Sequence, residues 1–289
     1  MANVDVSTAR FGRAISVQIA RVKPGSFIAT LPNAIVVRRL RMQFEIEKTL
    51  EADPNPATLT IWNLNEATRT EVQRKPLQIC IEAGYGTRTS ILFIGDMQDA
   101  STQRQGADLR TKILIADGER CMNVRVNRAF AGGTGGRAQI TEIAATMGLR
   151  VPRNVTDAKE FVQAVASGGS LQGPARRAMT DVTRRYGATW SIQDGQLQIL
   201  RGNEVRADQA LVISEQTGML GSPELGSPGK KGEAPTLTVR HLLYPECKPG
   251  GKINLQAEFL KGLYRIEKVK HSGDTHAEEW LTTLECKQL

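Results

Sequence analysis

Between Arg39 and Glu47 the chain alternates without a break: Leu40, Met42, Phe44 and Ile46 are apolar, and Arg39, Arg41, Gln43, Glu45 and Glu47 are not. A period of two over that length specifies a β-strand with one face in a core and the other in water. Ile15, Val17 and Ile19 repeat the pattern more weakly. Further strands are expected over Thr58–Trp62, Leu77–Ala83, Ile91–Met97 and Leu109–Ala116. Between two of them, Asn65 is placed to cap a short helix over Glu66–Arg74, which Pro76 ends. Strands joined by short polar connections across residues 1–117 suit a closed or nearly closed barrel.

After Asp117-Gly118 the periodicity changes. The strand-like Asn123–Phe130 leads into the glycine-rich Ala131–Gly136. A helix is then expected over Ala138–Met147, where Ile140, Ile143, Ala144 and Met147 share a face and Gly148 is the stop. A second helix, Pro174–Tyr186, begins with proline in its first turn and halts at Gly187. Thr189–Ile192 and Gln196–Leu200 flank Asp194-Gly195, a strong hairpin signal. Residues 118–200 therefore read as a compact α+β unit. Strands return in residues 201–289, at Leu237–Leu243, Lys252–Ala257, Gly262–His271 and Glu279–Lys287. The stretch Gly218–Pro235 holds almost nothing apolar and is expected to be a flexible arm. The chain is thus expected to be mainly β with an α+β insertion.

Charge is unevenly spread. Basic residues outnumber acidic ones 15 to 12 over 1–117 and 11 to 6 over 118–200, and balance at 12 each over 201–289. The middle segment's excess is sprinkled singly, and only Phe130, Phe161, Tyr186 and Trp190 accompany it. That suits a solvated face or a partner surface better than a nucleic-acid groove. No window approaches ~18 consecutive apolar residues, so no membrane insertion is expected. The first residues lack a basic and apolar leader, so folding in a cytosol is expected. Cys80, Cys121, Cys247 and Cys286 lie far apart without CxxC spacing, which favours reduced packing residues over disulfides or metal.

Catalytic chemistry finds little purchase. The chain has three histidines, His241, His271 and His276. The last two bracket a Ser272–Thr275 turn with Asp274 between them, a conceivable metal site but more simply a hairpin tip. Glu45 and Glu47 could be read as a glycosidase pair, yet they lie on the wet face of the alternating strand. No GxSxG elbow is present, and neither Gly84–Gly86 nor Gly132–Gly136 forms a phosphate cradle. No catalytic, cofactor-binding or metal residue is assigned.

Two stretches are more specific. The first is Ala57-Thr-Leu-Thr-Ile-Trp-Asn-Leu64, the helix after it, Ile81-Glu-Ala-Gly-Tyr85 and Ile91-Leu-Phe-Ile-Gly-Asp96. The second is Gly262-Leu-Tyr-Arg-Ile-Glu-Lys-Val-Lys-His-Ser-Gly-Asp-Thr275 with Trp280-Leu-Thr-Thr-Leu-Glu285. In this order they resemble baseplate hub proteins of tailed phages, including hubs of contractile-tailed Pseudomonas phages and, more distantly, Mu-type and late-control-D-type hubs. The resemblance implies two tube-like β-barrel domains per chain and a homotrimer whose ring joins the sixfold tail tube to the central spike. It also implies contacts with tape-measure and other baseplate proteins, and a place in the virion after assembly in the host cytoplasm. Some hubs carry a cell-wall hydrolase segment, so a tail-associated peptidoglycan hydrolase is the alternative reading. A nucleic-acid-binding barrel is a third. The arm around Lys230-Lys231 has no place in the resemblance.

The residues on which the hub reading rests structurally are Gly262, Tyr264, His271, Gly273, Asp274 and Trp280. Trp280, Thr282, Leu284 and Cys286 fall on one face of the last strand. On its partner, the apolar phase shifts by one between Ile266 and Val269, so a β-bulge is expected near Glu267-Lys268. Gly273 is expected to supply the turn, and Asp274 its local hydrogen bond.

Overall fold

The computed structural model describes residues 12–21, 34–74, 76–162, 169–226 and 235–289. In chain order the first strands are β1 (Arg13–Arg21), β2 (Ile35–Val37), β3 (Met42–Thr49) and β4 (Asn55–Trp62). Helix α1 (Glu66–Val72) follows, capped by Asn65, whose side chain accepts from the Thr68 N–H at 2.8 Å. Then come β5 (Leu77–Tyr85), β6 (Arg88–Gln105) and β7 (Asp108–Asp117). The inward side chains of these seven strands, among them Val17, Phe44, Ile46, Leu59, Ile79, Phe93 and Ile113, share one buried cluster. The sheet wraps around it because each strand offers an apolar face every second residue.

The middle segment holds α2 (Glu119–Asn123), β8 (Arg125–Phe130), α3 (Gly136–Met147), α4 (Arg153–Thr156), β9 (Gly169–Pro174), α5 (Ala175–Arg185), β10 (Ala188–Gln193) and β11 (Gln196–Arg201). Its strands form two small two-stranded sheets, β8–β9 and β10–β11, separate from the main one. Its core of Ile140, Ile143, Met147, Phe161, Met179, Val182, Trp190 and their neighbours is likewise its own. The β10–β11 turn has Asp194 and Gly195 at φ 52° and 79°, the pair of positive values a tight two-residue hairpin needs.

The last strands are β12 (Leu211–Ile213), β13 (Met219–Leu225), β14 (Leu237–Leu242), β15 (Lys252–Gln256), β16 (Lys261–Asp274) and β17 (Trp280–Gln288). Ile213, Val239, Ile253, Leu255, Tyr264, Val269 and Leu284 belong to a third core. Yet these strands are not a separate sheet. The order β13-β14-β17-β16-β3-β4-β7-β6-β5-β1-β2, with β15 and β12 branching from β16, makes a single 13-stranded sheet. It is mostly antiparallel, and no barrel closes among the described residues.

The expected flexible arm needs correction. Residues 219–225 form β13, antiparallel to β14, with the pairing shifted between Leu220 and Glu224. The strand survives Gly221 and Pro223 because it is an edge, where a missing N–H and a bulge are tolerated. Residues 227–234, Lys230 and Lys231 among them, lie outside the described residues.

Candidate functional site

The terminal hairpin β16–β17 joins the two halves of the sheet. Along one edge of β16, Lys261–Arg265 pair with β15, and Lys268–Asp274 pair with β3, while β17 runs beside both. The expected bulge is present, as a register shift between Ile266 and Lys268. It falls where β16 changes partners, so the extra residue lets one strand serve two cores. Tyr264 and Ile266 point into the C-terminal core before the bulge, and Trp280 lies in the N-terminal one.

Trp280 is 2% exposed and meets Phe44 edge-on, with ring centroids 5.2 Å apart at 72°. Gly273 sits opposite Trp280 within the ladder, so it does not make the turn, which is formed by the residues after Asp274. The physical reason for glycine is space. A Cβ there would lie 2.6 Å from ring atoms of both Phe44 and Trp280. Asp274 does make its local bond, accepting from the His276 N–H at 2.8 Å, and it pairs with Arg41 at 2.9 Å. Burial pushes its carboxyl up, but the Arg41 and His276 bonds outweigh that and hold it below the usual range. Arg13 donates to the Asp274 carbonyl at 2.8 Å, tying β1 to the hairpin tip. Gly262, the second residue of β16, has φ 149° and lies opposite Leu255.

The histidines do not converge. His271 points inward, buried and bonded through Nδ1 to Thr282 Oγ1 at 2.9 Å, with burial driving its pKa down to about 3. His276 is exposed and bonds Thr275, and His241 stacks on Tyr244. No cluster of metal-ligating side chains occurs among the described residues. Glu45 and Glu47 are each spent on a neighbour, with Lys270 at 2.5 Å and Lys268 at 2.8 Å across the outward face. All four cysteines are buried, and none is in a disulfide.

Sequence reasoning missed the most heavily charged buried spot. Lys48 follows Met42, Phe44 and Ile46 on the inward face of β3, with its side chain 0% exposed and its ammonium 5.7 Å from the Phe93 ring centroid. It binds Asp194 at 2.5 Å, and Lys248 binds the same carboxylate at 2.9 Å. Asp117, at the end of β7, accepts from the backbone N–H groups of Asp194 (2.7 Å) and Gly195 (3.3 Å). Asn55 donates to the Ile192 carbonyl, and Gln193 to that of Thr49. Burial would raise Asp194, yet Lys48 and Lys248 hold it below the usual carboxylate range. Burial and the neighbouring Asp194 charge push Asp117 well up. The signal was available: Lys48 continues the apolar phase of its strand, and a lysine there must find an anion.

The fold is shared with known tail proteins. It is similar to a tail protein from Neisseria meningitidis MC58 (TM-score 0.62, 10% identity, 96% of this chain and 97% of that one). It is also similar to a 43 kDa tail protein of prophage MuSo2 from Shewanella oneidensis (0.63, 8%, 96% and 97%). A third likeness is to an E. coli component of the type VI secretion system, described as similar to the T4 tail proteins gp27 and gp5 (0.59, 11%, 87% and 74%). A search of curated proteins returned no match. The family model for the baseplate hub gp41 matches residues 28–286, nearly the whole chain. The chain therefore belongs to the baseplate hub gp41 family and is a structural protein of the phage tail baseplate.

Proposed function

We propose that this protein is the subunit of a homotrimeric hub ring that joins the tail tube to the central spike, with tape-measure and other baseplate proteins as further partners. In this reading it assembles in the host cytoplasm, ends in the virion, and performs no catalysis. The N-terminal and C-terminal cores act as two tube-like domains, so three chains present six similar faces to a sixfold tube. Residues 118–200 are the unit set apart from the ring.

The observation that carries the proposal is a sheet with unlike free edges. Among the described residues the main path of the sheet ends at β13 on one side and β2 on the other, with β12 the outer strand of its branch. Each edge carries an exposed apolar side chain, Leu225 (57% exposed) and Val36 (49%). Open edges of this kind invite strand pairing with another chain. Two unlike edges on one subunit fit a head-to-tail contact, which closes into a ring. Light scattering of Leu225→Lys is the test, because that side chain is exposed and its loss leaves the cores intact. The parent is expected to run as a trimer and the variant to fall toward monomer at equal concentration. An unchanged mass would remove the β13 edge from the contact, and a monomeric parent, even with spike protein added, would refute the ring.

A further inference from the structure

We infer that the middle unit is a docked arm, hinged at Gly118 and Gly202 and latched to the sheet by the buried Lys48–Asp194 ion pair. Its core is self-contained: of the side chains clustered there, only Ala52 comes from outside residues 118–200. What holds the unit against the sheet is chiefly polar. Arg120 pairs with Asp96 at 2.8 Å, and Arg176 pairs with Asp53. Asn55 reaches the Ile192 carbonyl at 2.9 Å, Gln193 the Thr49 carbonyl at 2.6 Å, and Gln198 the Pro249 carbonyl at 3.1 Å. Leu200, which leans toward Gly250, is an apolar addition. Polar interfaces between units within a chain are the kind across which relative motion is expected.

The chain enters this unit at Gly118 and leaves just beyond it at Gly202, both at positive φ (77° and 47°), a backbone that glycine adopts without strain. The tip of the β10–β11 hairpin is the deepest point of the docking. Asp194 meets Lys48 inside the N-terminal core and Lys248 from the loop before β15, while Asp117 receives its backbone N–H. Such a contact has two stable conditions and little between. With the tip seated, the charges are matched. With Asp194 removed, Lys48 stays buried without its ion-pair partner, and Asp117, which makes no ion pair with it, answers the charge only in part, which is unfavourable. The unfavourable state is relieved if the tip withdraws and water reaches Lys48.

Hydrogen exchange on the full chain tests this with Asp194→Asn and the double variant Lys48→Met/Asp194→Asn. Asparagine tolerates the left-handed backbone at position 194, so the turn itself is preserved. In Asp194→Asn, amides at the junction, those of Thr49 and Ile192–Gly195, are expected to exchange at least about tenfold faster. Amides in α3 and in β4 and β7 are expected to stay within about twofold of the parent. The double variant, which removes the stranded charge, is expected to recover most junction protection. Unchanged junction exchange in Asp194→Asn would show that the pair latches nothing. Equal acceleration in all three cores would show one cooperative body with no arm. Failure of the double variant to recover would take the latch away from Lys48.

Discussion

Trp280 and Asp274 lie six positions apart, on either side of the hairpin turn, yet contribute by different physics. Trp280→Ala removes a buried ring from the Phe44 contact and leaves a cavity, so its cost is expected to be about 3–5 kcal/mol. Gly273→Ala inserts a methyl group between the same two rings, an overpacking expected to cost about 1–3 kcal/mol. Asp274→Ala loses one N–H bond and one half-exposed arginine, for which about 1–2 kcal/mol is the expected loss. Denaturant melts of the three variants check the order; if Asp274→Ala proved the most damaging, the packing account of this hairpin would be wrong. His271 makes a pH prediction. Its folded pKa is near 3, against an ordinary value near 6.5, so between those limits the folded state binds fewer protons than the unfolded one. Its contribution to stability therefore falls as pH drops from about 6.5 toward 3. Asp117, raised in the folded state, acts with the opposite sign in acid, and Asp194, held low, loses its contribution only below the normal carboxylate range. Comparing parent with His271→Gln isolates the histidine: the variant is expected to show the flatter stability curve between pH 6.5 and 4, and superimposable slopes would contradict the assignment.

At the level of elements, the bulge in β16 supports a sharper expectation. Deleting Glu267, the residue left without a partner, places Ile266 and Val269 two positions apart opposite Cys286 and Leu284, so a uniform ladder is expected with Val269 and His271 still on the inward face. Circular dichroism of that deletion is expected to keep the native sheet; its loss would mean that Glu267 is not the spare residue of the bulge. The bulge was legible because the apolar phase of Tyr264 and Ile266 does not match that of Val269 and His271. The alternating strand β3, the Asn65 cap, the helix before Gly148 and the Asp194-Gly195 turn were legible for the same reason, since each is a local pattern with a local cause. Other elements were not. β9 reads Gly-Ser-Leu-Gln-Gly-Pro, with no strand preference of its own, and is a strand because β8 pairs with it. β13 hid behind its glycine and proline for the reason that makes it an edge. Gly273 looked like a turn residue because a glycine that clears space for two aromatic rings has the same letter as one that bends the chain. The pairing of Lys48 with Asp194 spans 146 positions and no local window contains it.

Among the described residues the molecule is one long sheet with two large cores and a small cluster of Ala20, Cys80 and Ile94 along it, and a further unit docked on its side. The four cysteines fit this plan as packing residues, and burial pushes the Cys80 thiol up to about 12 and Cys121 to about 11. A thiol reagent is accordingly expected to react slowly with the native protein and to find all four thiols after denaturation without reductant; a lower count would reveal a disulfide or a bound metal. The closed ring proposed above as the working form draws its support from membership of the baseplate hub gp41 family and from the unlike sheet edges. Images of the purified protein, alone and with the spike protein added, test that most directly. The expected result is a ring of threefold symmetry with an open lumen, and a population of single compact particles under both conditions would contradict it.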